Sequence, residues 1–311
     1  MSNIIKIKTT IGLKGFFRLR IINKFNKIRV DTGWFSNTIL DAGRNIMADR
    51  GDWMDYCQVG TDNTTPTQSD TSLLGYIAGT SNIVSTTTGQ ASSAPYFGWK
   101  RKTFRFAVGD TAANLNEVGV GWGLSGSTLI SRALILDPST QLPTTITPLA
   151  DEFLEVMYEL RYYAPTTDVV IPQVTLDSVV YDTIVRAANV TAVSWSGNIG
   201  SIMGIVTGTS NWVAYDGNIG TVLTGPSGIS ANDDLATQSN SAYVNNSYEI
   251  KMNCPCGSSG WNLGAGIRSL RITTTAGEYQ TQFDANPGGA TIPKTSAYSM
   301  LMSWTLGWTE L

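Results

Sequence analysis

The sequence contains no histidine. No Ser-His-Asp or Cys-His pair can therefore form, which closes the common routes to an activated serine or cysteine nucleophile. Cysteine is scarce too, with only Cys57, Cys254 and Cys256. A structural zinc site draws four ligands from Cys and His, and Cys254-Pro255-Cys256 plus one distant thiol does not supply them. No metal or cofactor is expected. Two readings of the thiols stay open: buried free cysteines of a protein assembled in the cytosol, or a disulfide from Cys57 to Cys254 or Cys256.

Charge is also thin. Charged residues make up 14% of the chain, against about 25% in ordinary soluble domains. The balance of 21 basic and 24 acidic residues, net -3, speaks against a whole-chain nucleic-acid binder. No acidic residue precedes Asp31, whereas Lys6, Lys8, Lys14, Arg18, Arg20, Lys24, Lys27 and Arg29 all do. Residues 1–34 thus read as a basic N-terminal arm and hairpin. Lys14, Arg18, Arg20, Lys24, Lys27 and Arg29 are the candidate subunit-contact residues. They either solvate a hairpin face or meet an acidic neighbouring surface, for instance one containing Asp151, Glu152 and Glu155. No apolar h-region follows the basic residues and no run of 18 apolar residues exists, so neither a signal peptide nor a membrane span is expected.

What the chain does have is strand patterning. Tyr298, Met300, Met302, Trp304, Leu306 and Trp308 alternate with small residues, and Leu154, Val156, Tyr158, Leu160 and Tyr162 alternate with Glu155, Glu159 and Arg161. A period of two places each apolar set on one strand face, and both strands read as core. A hairpin is expected over 16–34, and another over 174–187 around Leu176-Asp177-Ser178. Ser36 or Asn37 would cap a helix from Thr38 to about Asp49, and Asp70 a second short one carrying Leu73, Leu74, Tyr76 and Ile77. Ser81 to Pro95 reads as an exposed loop or hairpin tip. The fold class is mainly β: two β-sandwich-like domains, 35–164 and 173–311, joined by a linker at 165–172, with one or two short helices in the first.

The two closing strands suggest an internal duplication. Trp53, Tyr56 and Val59-Gly60-Thr61 match Trp212, Tyr215 and Ile219-Gly220-Thr221. Chemistry is harder to find. Asp151, Glu152, Glu155 and Glu159 sit together, and Asp233-Asp234 lie in a loose segment, as a glycosidase carboxylate pair would require. Glu155 and Glu159, however, face outward on a strand, where a solvated surface is the ordinary reading. Gly119-Val120-Gly121-Trp122-Gly123 resembles part of a phosphate-binding glycine run but leads into no helix. The nine tryptophans could stack sugars, though most sit at core spacing.

The run Asn37-Thr-Ile-Leu-Asp41-Ala-Gly43, then Tyr56-Cys-Gln-Val59-Gly60-Thr61-Asp62 with Pro66, then Asp70-Thr71-Ser-Leu73, resembles a family of tailed-bacteriophage virion proteins. That family shows "N-x-I-x-x-A-G", "Y-x-x-V-G-T-G" and "P-x-x-x-D-T-x-L" in this order; here Asp62 replaces the last glycine of the second motif. The similarity continues through Asn116-Glu117-Val118-Gly119, Ser131-Arg132-Ala133 and Glu159-Leu160-Arg161-Tyr162 and covers about residues 35 to 185. It implies a non-enzymatic, oligomeric structural protein of the tail, neck or baseplate. Such a protein is assembled in the host cytoplasm and partnered by its own copies and other virion proteins. The alternative is a receptor-binding appendage that contacts host surface glycan, and a distant third is a glycan depolymerase.

Overall fold

The computed structural model describes residues 4–176, 179–206, 211–232, 238–283, 291–297 and 299–311. Its first strands are β1 (Ile4–Ile22), β2 (Ile28–Asp31), β3 (Phe35–Ser36) and β4 (Thr38–Ile39), followed by helix α1 (Asp41–Ile46). Next come β5 (Tyr56–Gly60), β6 (Tyr76–Thr80), β7 (Ile83–Gln90), β8 (Phe97–Arg105), β9 (Glu117–Gly121), β10 (Leu129–Leu134) and β11 (Phe153–Tyr163). The second half holds β12 (Val169–Leu176), β13 (Val179–Ala187), helix α2 (Ser194–Gly197), β14 (Trp212–Tyr215), β15 (Ser230–Asn232), β16 (Ser239–Asn240), β17 (Glu249–Cys256), β18 (Ser269–Thr274), β19 (Gly277–Phe283) and β20 (Met300–Glu310). The protein is mainly β, as its alternation predicts. No helix among the described residues is long and apolar enough to cross a membrane.

The basic N-terminal segment is not an arm: β1 is the middle strand of a nine-stranded sheet ordered β16-β17-β20-β1-β11-β8-β7, with β2 and β3 also on β1. The reason lies in its odd positions. Ile5, Ile7, Ile11, Leu13, Phe17, Leu19 and Ile21 are all buried, one apolar face interrupted only by Thr9 and Gly15, while the lysines and arginines occupy even positions. Residues 4–13 of β1 pair in parallel with β20, and residues 12–22 pair antiparallel with β11. Both closing strands therefore flank the N-terminal one. The β1–β2 hairpin forms as expected, with Ile21 opposite Val30.

A five-stranded sheet, β4-β10-β9-β5-β6, and a six-stranded sheet, β12-β13-β19-β18-β14-β15, complete the layers. Strands β5 to β11 and β14 to β20 take up matching places. In each series the first, second, fifth and sixth strands form a separate antiparallel sheet, β10-β9-β5-β6 and β19-β18-β14-β15. The third, fourth and seventh join the shared sheet as β7-β8-β11 and β16-β17-β20. Because β11 runs against β1 and β20 runs with it, the two series enter that sheet in opposite directions. A two-fold axis normal to the sheet through β1 produces this arrangement. The nine-stranded sheet thus takes strands from both sides of 165–172, and Val169–Pro172 is itself part of β12.

The core lies between the layers. Trp304 on β20 meets Trp212 on β14 edge-on at 6.4 Å between centroids, and Tyr279 on β19 at 6.1 Å. Six of the nine tryptophans, 53, 195, 212, 261, 304 and 308, are buried. Cys57, Cys254 and Cys256 are buried and none is in a disulfide, so neither expected bridge forms.

Four local expectations are corrected. Thr38–Ile39 pairs with β10 as β4 rather than starting the helix, and α1 begins at Asp41 with no side-chain cap. Gly43 lets α1 lie on β10, since a Cβ there would come 2.4 Å from the Ile130 Cα. No helix follows Asp70. Leu73 packs with Leu40 and Leu129, and Tyr76 begins a strand on β5. Ser81–Pro95 contains the eight-residue strand β7. The 174–187 hairpin is present as β12 and β13, although 177–178 of its expected turn, like Asp233, Asp234 and Tyr298, lies outside the described residues. In the suggested repeat, Trp212 and Tyr215 bound β14, but Ile219-Gly220-Thr221 lies past that strand's end while Val59-Gly60 lies within β5.

Candidate functional site

The outer face of the shared sheet collects the charge that the sequence spreads thinly. In register across four strands run Arg105 (β8), Glu155 (β11), Arg20 (β1) and Asp31 (β2), alternating in sign. Four residues along, Arg101 stands opposite Glu159, and Glu159 opposite Phe16. Glu159 accepts from Arg101 Nε at 3.0 Å and from Arg161 Nε at 2.7 Å. The guanidinium planes cover aromatic rings: Arg161 over Phe16 and Phe97 at 4.2 and 4.6 Å, Arg101 over Trp34 and Trp99 at 4.7 and 4.9 Å, and Arg105 over Phe153 at 4.6 Å. Each such stack contributes about 0.5–2 kcal/mol according to exposure. Glu159 does point outward, as its parity predicts, but it is not solvated. Its side chain is 3% exposed, roofed by arginines.

The six candidate contact residues are placed by this layer. Arg18 and Arg20 both hold Asp31, at 2.6 and 3.0 Å. The hydrogen bond from Arg18, with smaller help from the Gly33 amide and Arg20, brings the Asp31 carboxyl down to about 2 against the opposing effect of burial. Arg29 binds Glu152 at 2.7 Å and donates to the Thr147 carbonyl, and Lys24 lies 3.4 Å from Asp151. The acidic surface expected on a neighbouring copy, Asp151, Glu152 and Glu155, is therefore matched within the chain. Lys14 and Lys27 have no ion pair among the described residues. A cleft of about 320 Å³ lies beside Arg29–Thr32, under Leu136–Pro138 and Thr144–Thr147, but the Arg29 guanidinium at its edge is already engaged.

A second constellation joins residues that no local pattern connects. Arg132 on β10 is fully buried; its Nε donates to Glu117 Oε2 at 2.8 Å, its Nη1 to Asp70 Oδ2 at 2.7 Å and its Nη2 to the Thr64 carbonyl at 3.0 Å. Asp62 is 3.5 Å away. Glu117, equally buried, accepts the Gly75 amide at 2.7 Å. Together they fasten the 61–75 loop to the five-stranded sheet. The glycines of the phosphate-like run are packing positions in the same sheet, for a Cβ on Gly121 would come 1.8 Å from the Thr128 carbonyl.

The second lobe fastens its loop chiefly through neutral amides, with one added bond from the partly exposed, Asp168-paired Arg186 to the Gly220 carbonyl at 3.1 Å. The buried Gln280 amide nitrogen lies 2.9 Å from the Thr221 carbonyl and 3.2 Å from those of Gly220 and Thr224, while its oxygen accepts the Gly220 amide at 2.9 Å. Gln282 accepts the Ile219 amide at 2.9 Å. Sequence reading found neither clamp, because the partners lie tens of residues apart. Only the motif positions Asp70, Glu117 and Arg132 carried a signal.

Compared with protein-family models, with curated proteins and with solved structures, the chain matches none.

Proposed function

We propose that the chain is a non-enzymatic structural component of a tailed-bacteriophage virion, in the tail, neck or baseplate region. It works there as assembled copies of itself alongside other virion proteins. One observation carries the reading. The residues that bear the family resemblance are spent on rigidity: Gly43 seats α1 on β10, and Asp70, Glu117 and Arg132 lock the 61–75 loop to the sheet. A load-sharing particle protein needs that stiffness, whereas an enzyme of this size would hold some of its charged groups free toward a cleft. The matched order of β5–β11 and β14–β20 is, in this reading, the product of an internal duplication.

The glycan-binding alternative asks for bare aromatic platforms. Trp34, Trp99, Phe16, Phe97 and Phe153 each carry a guanidinium over the ring, so the space a sugar would stack into over these five is taken. Antibody labelling of intact parent particles, followed by a particle map, tests the structural reading. Label at the tail, neck or baseplate is expected. Label confined to the lysate, or release of reducing sugar from host glycan by the purified chain, would overturn it.

A further inference from the structure

One long stretch of the first lobe carries no charge. From Thr71 to Trp99 the sequence contains no Asp, Glu, Lys or Arg. That stretch supplies both edge strands of the first lobe: β6 closes the five-stranded sheet and β7 the nine-stranded one. Leu74, Tyr76, Ile77 and Val84 are exposed there, between 40% and 57%, and Ser85 to Thr88 are exposed on both faces of β7. Soluble proteins guard long edge strands with lysine, proline, bulges or a covering segment. The only irregularity in β7 is at its start, between Ile83 and Ser85; from Ser85 to Gln90 it pairs regularly with β8, and it contains neither proline nor charge.

The ladder shows which groups face outward. The Ala91 amide donates to the Phe97 carbonyl at 2.8 Å, so Ala91 is a hydrogen-bonded position of the β7–β8 ladder. Strict alternation gives Gly89, Thr87 and Ser85 the same role and turns the N–H and C=O of Thr86, Thr88 and Gln90 away from β8. Among the described residues β7 has no second strand neighbour.

We propose that β7 is a homodimerisation edge, to which the β7 of a second copy adds antiparallel about a two-fold axis normal to the sheet. Such an axis keeps the inner and outer faces of both copies aligned, so facing residues must share parity. Centring it on Thr88 sets that residue opposite its own mate and Thr86 opposite the partner's Gln90, with every outward N–H and C=O of the three satisfied. A second copy is the fitting occupant because two uncharged edges meet without like-charge repulsion, and an unlike partner finds no charge to read. Three cations stand behind it on β8: Lys102 is paired with Asp55 and Arg101 with Glu159, while Lys100, opposite Thr88, has no ion pair among the described residues but is partly buried, which disfavours its charged form. The opposite edge of the sheet offers no equivalent, since β16 has two residues and the Asn240 side chain is used by the Ile205 amide. The pairing is independent of the virion assignment.

The test uses the full chain in sedimentation velocity and mass photometry, with Thr88→Pro, which deletes an outward N–H without touching the β8 ladder, and Thr88→Lys, which installs a natural edge guard. A concentration-dependent dimer is expected for the parent chain, weakened at least about ten-fold in both variants while their melting temperatures stay at the parental value. The amides of Thr86, Thr88 and Gln90 should gain protection from exchange as protein concentration rises. A parent chain still monomeric at about 100 μM, weaker than a specific interface of standard size, overturns the proposal. So does a dimer that both variants retain, or equal exchange of those three amides at low and high concentration. If Thr88→Pro fails to fold, Thr88→Lys with the exchange data decides.

Discussion

The 61–75 loop and the 217–224 loop follow β5 and β14, strands in matching places, and are tied down by opposite chemistry. The first is held by a fully buried guanidinium among three carboxylates, the second chiefly by two buried neutral amides, with Arg186 adding a single bond from the surface. A charged clamp is close to all-or-none. With Arg132 absent, Glu117 is an uncompensated buried anion, and its cost exceeds any single lost hydrogen bond. An amide clamp is graded, because each contact exchanges against water at about 1 kcal/mol. The same strand frame thus supports a brittle half and a forgiving half.

The largest effect should come from breaking the brittle side. Arg132→Ala is expected to cost about 3–5 kcal/mol in a denaturant titration, and Arg132→Ala with Glu117→Ala together should cost less than the sum of the two single changes. Strict additivity would dissolve the network argument. Gln280→Ala should cost about 1–3 kcal/mol, leaving Gly220 and Thr221 faster in hydrogen exchange and the 61–75 loop unchanged. A Gln280→Ala loss equal to that of Arg132→Ala would erase the distinction between the halves.

Acid sharpens it further. Burial pushes the Asp70 carboxyl up, but hydrogen bonds from Thr67 and Arg132 outweigh it, and its pKa falls below the ordinary 3.8. A depressed carboxylate stabilises the fold above its unfolded value and loses that contribution as pH drops through the folded one. Below pH 3.8 the first loop should therefore open while the second stays closed, in exchange rates corrected for their intrinsic pH dependence. Asp31 adds its own loss between 3.8 and about 2. The smallest effect is expected at Lys24, where both partners are largely exposed. Lys24→Ala should leave the melting temperature unchanged.

The parts visible in the sequence were those where one strand face is buried and the other is not. β11, β20 and the β1 arm of the 16–34 hairpin show a period of two, and their inward sets are the buried ones, whereas on the second arm Ile28 is exposed and Val30 and Trp34 are only partly buried. β1 carried the same signal over Ile5, Ile7, Ile11 and Leu13, hidden behind the conspicuous lysines between them. β7 gave none, because an edge strand exposed on both faces has no apolar alternation to display, and Ser-Thr-Thr-Thr reads as loop. The helix expected after Asp70 failed because Leu73 and Tyr76 answer to different partners, Leu40 and Leu129 for one and β5 for the other. The clamps were illegible for another reason: Arg132 meets Asp70 and Glu117 only after three strands have been laid side by side, and no window along the chain contains all three.

The place of β1 also sets the order in which the molecule can be made. Its residues 12–22 find β11 once the first lobe has been synthesised, but Ile4 to Leu13 must wait for Leu301 to Glu310. Throughout that interval the chain carries half of a strand with an open hydrogen-bonding edge and the apolar row Ile5, Ile7 and Ile11 uncovered. Contacts this distant make folding slow and the waiting intermediate adhesive. β20 therefore closes a gap held open since β1 was made, and a nascent chain stalled before Met300 is the species that holdase chaperones should find most often bound.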